Sequence, residues 1–140
     1  MQFLVFIGLL LSTELIASES IAVIVNSHNP QHTMDIETVR AYFLKEQKLW
    51  PSGETVISFA RPVGSPIHAH FIQSVLNKSE GKLENHWIKL KQGGEMPPQI
   101  IPTDKLVISM VKKFPWAISY VDKSALAQSD SEISVVLEIQ

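Results

Sequence analysis

Hydrophobic and polar positions divide the chain after residue 20 into a series of short segments. Ile21-Ala22-Val23-Ile24-Val25 is an unbroken, largely β-branched run that stops at Asn26-Ser27-His28-Asn29-Pro30, the pattern of a strand buried on both faces, as in a parallel sheet. Asp35 is placed to cap a helix that carries Ile36, Val39 and Phe43 on one side. A loop from Lys45 to Gly53 holds Trp50-Pro51 and leads to a second strand, Thr55–Phe59. Ile67, Phe71, Val75 and Leu76 form the apolar stripe of the next helix. Ser79 caps a third, with Leu83, Trp87 and Leu90 inward and Gly93-Gly94 at its end. Met96-Pro97-Pro98 reads as a rigid connector. Thr103 or Asp104 starts a fourth helix, with Leu106, Val107, Met110 and Val111 on its apolar side and Lys112-Lys113 at its C-terminus, where the helix dipole favours cations. Ala117–Val121 is a third strand. After a polar linker from Ser124 to Glu132, Ile133, Val135, Leu137 and Ile139 alternate with Ser134, Val136 and Glu138, which predicts an edge strand with one wetter face. The order β-α-β-α-α-α-β-β predicts an α/β fold, a three-layer α/β/α sandwich around a mostly parallel sheet.

The first 20 residues have a different character. Phe3 to Leu11 is an apolar run of signal-peptide length, too short to span a bilayer as a helix, and Ser18 and Ser20 are small residues placed for cleavage after Ser20. The expected organisation is a signal peptide at 1–20 and one domain at 21–140, exported to the periplasm. Removing Glu14 and Glu19 with the leader leaves 12 acidic side chains against 12 basic ones. That balance argues against a general nucleic-acid binder and gives no electrostatic attraction to anionic lipid. No stable membrane insertion is expected once the leader is gone. The absence of cysteine excludes disulfides, thiolate metal sites and cysteine nucleophiles.

The candidate chemistry lies in Arg61-Pro62-Val63-Gly64-Ser65-Pro66-Ile67-His68-Ala69-His70-Phe71, between the second strand and the second helix. Ser65-Pro66 is first of all a helix start, Ser as N-cap and Pro at the first helical position. Arg61 adds a cation, Gly64 permits close backbone approach, and the helix end offers free N–H groups, so the turn can hold a small oxyanion. Pro66 removes one of those donors. The five histidines are not spaced as metal ligands, and no cofactor is implied: His68 and His70, two apart, point in different directions on a helix. No Gly-x-Ser-x-Gly occurs. An esterase reading would rest on Ser65 with His68 or His70 as base.

Five pieces, in order, resemble the second lobe of the periplasmic phosphate-binding proteins of phosphate ABC transporters. They are the strand Ile21–Asn26, the helix Met34–Phe43, the loop Lys48–Gly53 with Trp50, the turn Arg61–Phe71, and Pro115–Val121. The resemblance implies a single periplasmic-binding-protein-like lobe, non-catalytic, with phosphate as the first-choice oxyanion held by the side chains of Arg61 and Ser65. Gly64 and Ile67 complete the expected site through the backbone. Pro66 and Ile67 replace the Gly and Thr of that family's turn, and Trp116 and Ser119 replace two glycines of the last piece. About 120 residues hold one lobe and not two, which leaves an anion half exposed. The implied partner is an inner-membrane transporter or an envelope sensor. The alternative is a single-lobe interaction or sensor module that has lost solute binding, presenting a patch that includes Phe114 and Trp116.

Overall fold

The computed structural model describes Gln2, Phe3, Gly8 and residues 20–140. The expected leader at 1–20 therefore lies almost wholly outside the described residues. The elements are β1 (Ile21–Asn26), α1 (Ile36–Phe43), β2 (Ile57–Ala60), α2 (Pro66–Ser74), α3 (Glu80–Gln92), β3 (Gln99–Ile100), α4 (Asp104–Lys113), β4 (Ala117–Asp122), a 3₁₀ turn (Lys123–Ala125) and β5 (Ile133–Ile139). The helix starts are cap chemistry: Asp35, Ser65, Ser79 and Thr103 each accept a hydrogen bond from the backbone N–H three residues on.

The strands form one sheet in the order β3-β2-β4-β1-β5. β3, β2 and β4 are parallel to one another, and β1 is antiparallel to both β4 and β5, so four strands run one way and β1 alone runs the other. The fold class is as expected, a mostly parallel sheet between helical layers. β1 corrects the detail: all six of its residues are buried, yet it pairs antiparallel on both sides. Burial on both faces comes from helices above and below, and hydropathy carries no information on strand direction. Ile21, Val23 and Val25 join Ile118 and Tyr120 under α1, α2 and α3, whereas Ala22, Ile24, Ala117 and Val121 pack with Val107 and Val111 of α4.

Three further details depart from the pattern. β3 pairs beside β2 at Gln99–Ile100, where the prolines predicted only a connector; two exposed residues give no periodicity to read. In α3 only Leu83 is buried, while Trp87 and Leu90 are half-buried. β5 carries an irregularity opposite Val23 and Ile24, where Leu137 pairs with Val23 and Val135 with Ile24. Val136 is the extra residue, and the slip sends its neighbours to different faces: Leu137 and Ile139 pack with the α1–α3 core, Ile133 with the α4 core. The strict alternation predicted for β5 is therefore broken at its centre, although the strand does lie at the sheet edge.

Candidate functional site

β2 ends at Ala60, so Arg61 leaves the sheet at the carboxyl end of a strand, where open α/β sheets bind ligands. Ser65 N–H donates to Pro62 O at 3.1 Å, and Gly64 at φ +86° closes the turn in a conformation that a side chain would strain. Ser65 caps α2 by accepting from His68 N–H at 3.4 Å, and its own hydroxyl donates to Pro62 O at 2.6 Å. Ala69 N–H takes Ser65 O, Pro66 has no N–H, and the N–H of half-buried Ile67 meets no acceptor among the described residues. The mouth of α2 thus offers one backbone donor.

Arg61 is only 4 % exposed. Its Nε donates to Ile101 O (3.0 Å), one terminal nitrogen pairs with Asp104 and donates to Tyr120 O (3.3 Å), and the other reaches Pro102 O (3.4 Å). Four of its five N–H groups are used, and the guanidinium ties the end of β2 to β4 and to the start of α4. In the sequence Asp104 was legible only as one of two candidate starts of α4, beside Thr103. Its second role, counter-ion to a buried arginine, required knowing that α4 starts beside the end of β2.

Arg61 also lines a cavity of about 450 Å³ beneath the α2–α3 pair. Phe43, Phe71, Ile72, Leu83 and Trp87 form apolar walls, and Tyr120 and Arg61 sit deep among them. Tyr120 lies flat on Phe71, ring centroids 3.7 Å apart and planes within 4°. Its phenol oxygen accepts from Arg61 N–H at 3.3 Å, and burial pushes the phenol well above the usual tyrosine range. No local pattern marked this cavity, because its lining comes from α1, the end of β2 and the turn after it, α2, α3, the Pro97-Pro98 segment, β3 and β4.

The histidines are separated. The His68 ring lies 2.8 Å from Glu80 of α3, His70 3.2 Å from Gln140 O, and His86 2.7 Å from Leu44 O. Neither His68 nor His70 shares its imidazole with the Ser65 hydroxyl, so the serine–base pair that an esterase needs is not formed. Among the described residues no three metal-ligating side chains are grouped, and no helix is long and apolar enough to cross a membrane. Phe114 packs with the α4 core, and Trp116 packs with the opposite core and accepts from Trp50 Nε1 at 3.0 Å through its carbonyl.

No protein-family model matches the chain, and no curated protein sequence does. Solved structures do resemble it. The substrate-binding protein of a putative phosphate ABC transporter from Clostridium perfringens, solved with bound phosphate, superposes with a TM-score of 0.65 at 20% identity over 84% of this chain and 44% of its own. An ABC-type phosphate transport receptor from Vibrio cholerae gives 0.64 at 11% identity, over 84% and 45%. PstS from Borrelia burgdorferi gives 0.62 at 13% identity, over 84% and 47%. The chain spans less than half the length of these proteins, and at such identities the likeness is one of fold: 84% of the chain superposes on part of a phosphate-transporter binding protein.

Proposed function

We propose that this chain is an exported, periplasmic, non-catalytic solute-binding lobe that takes a small oxyanion, phosphate first, and works with an inner-membrane transporter or an envelope sensor. The division into a leader at 1–20 and a domain at 21–140 belongs to the same proposal. The observation that carries it is the position of the Arg61–Ser65 turn: it joins the carboxyl end of a sheet strand to the start of α2, in a fold shared with phosphate-transporter binding proteins. The anion would meet the Ile67 N–H beside Gly64, the remaining N–H of Arg61, and Ser65 once its hydroxyl turns from Pro62 O. So few donors at an open site predict weak binding, roughly micromolar or weaker.

Isothermal titration of the purified chain with phosphate, with sulfate as control, tests this reading. Saturable heat with phosphate that falls in both Arg61→Lys and Ser65→Ala supports it. Silence toward both anions in a folded protein rejects it. That result favours the second reading, an interaction module without a solute site, for which one observation already speaks: the Ser65 hydroxyl and four of the five Arg61 donors are satisfied internally.

A further inference from the structure

The cavity beneath α2 and α3 has a make-up that inorganic phosphate would not use. Its volume, about 450 Å³, falls within the range of small-molecule sites. Its walls are aromatic and aliphatic. At its mouth, Val63, Ile88 and Ile100 are 65%, 48% and 53% exposed, an unusual concentration of large apolar side chains in water around one opening.

Two donors among its lining residues have no acceptor among the described residues. One is the phenol hydrogen of Tyr120, whose oxygen is occupied as acceptor by Arg61 N–H. The other is the fifth N–H of the Arg61 guanidinium, the remaining four being used. Both groups are buried, so an oxygen brought to them would be bound in a low-dielectric setting. The charged side chains at this site sum to one net negative charge. Asp104 neutralises Arg61, Glu80 and Glu84 line the same cavity, and Lys91 is the other cation on it. A dianion would face this acidic surround with two donors. A singly charged carboxylate has two oxygens for two donors and half the repulsion.

We infer that this cavity binds a small apolar carboxylate, an aryl or branched aliphatic acid. The carboxylate meets the Tyr120 hydroxyl and the Arg61 guanidinium, and the apolar part lies against Phe71, Leu83 and Trp87. The inference stands on the cavity and not on the phosphate reading, although both use Arg61.

The test is titration of phenylacetate into the 140-residue chain, followed by tryptophan fluorescence, since Trp87 is in the wall. Acetate is the probe with the same head and no tail, and inorganic phosphate is titrated separately. A saturable change is expected with phenylacetate, with acetate at least tenfold weaker. Tyr120→Phe keeps the stacked ring and removes the donor, and should weaken binding by about tenfold. Ile88→Glu, on the exposed rim and harmless to the core, should weaken it as well by adding negative charge and removing an apolar contact. No saturable response to phenylacetate overturns the inference. Equal binding of acetate does so too, as does unchanged affinity in both variants. Phosphate heat without a phenylacetate response would reject this inference and leave the phosphate reading standing, and the reverse result would do the opposite.

Discussion

Removing Arg61 should cost this protein more stability than any function it serves would suggest. The side chain holds a carboxylate and three backbone carbonyls from the β3–α4 connection and β4. In Arg61→Ala each carbonyl loses a partner at a net cost of about 1 kcal/mol, and more where water cannot replace it, as at buried Ile101. Asp104 loses its counter-ion. Breaking a fully buried pair costs about 3–5 kcal/mol, but the Asp104 side chain is 30% exposed, so its share is discounted to about 1–2 kcal/mol. These terms overlap, and the expected total is about 3–5 kcal/mol, a large part of the stability of a domain of this size. With a urea m-value of about 2 kcal/mol/M, the unfolding midpoint should fall by about 1.5–2.5 M, measured by tryptophan fluorescence. Asp104→Asn keeps an acceptor and loses the charge, so its midpoint should fall by less than about 1 M. A shift below about 0.5 M for Arg61→Ala would refute the clamp and return the guanidinium to ligand binding as its main role. Arg61→Lys keeps a cation at this position and is therefore the better probe of phosphate binding.

Two further outcomes are expected. Asn26 is buried at the end of β1, donates to Val111 O and Lys112 O at 3.0 Å each, and accepts from His28 N–H, so it satisfies the C-terminus of α4. Asn26→Ala should cost about 2–3 kcal/mol in urea unfolding, and a cost under about 0.5 kcal/mol would mean that water replaces it. Burial raises the Tyr120 phenol above its ordinary value of 10.0, so the folded state holds that proton more tightly than the unfolded one. The stability this represents is intact below pH 10.0 and is lost as pH rises beyond it. Tyr120→Phe should therefore flatten the alkaline limb of the stability profile, and an unchanged limb would assign it to other groups.

The sequence by itself determined what depends on neighbours along the chain. Asp35, Ser65, Ser79 and Thr103 start their helices because a short oxygen-bearing side chain satisfies an N–H three residues away, a contact that needs no tertiary structure. The unbroken apolar run of β1 announced a strand covered on both faces for the same reason: hydropathy records burial. The order of motifs around Arg61, Trp50 and Pro115–Val121 pointed to the lobe, and the fold has that architecture.

The tertiary structure alone decided the direction of β1, which is a matter of which strand edges meet. It created β3, held by two residues against β2. It placed Val136 as an extra residue in β5 and so sent Ile133 and Leu137 to opposite cores. At the site the division is sharper. Arg61, Gly64 and Ser65 were visible as a cation, a point of close backbone approach and a hydroxyl in one turn. Whether they are free to meet a ligand depends on Ile101, Pro102, Asp104 and Tyr120, 40 to 59 residues away in the chain. A local pattern can place a donor, but only the packed chain determines which acceptor it finds, because the free energy of burying a charge is settled by whatever else is brought into the same low-dielectric space.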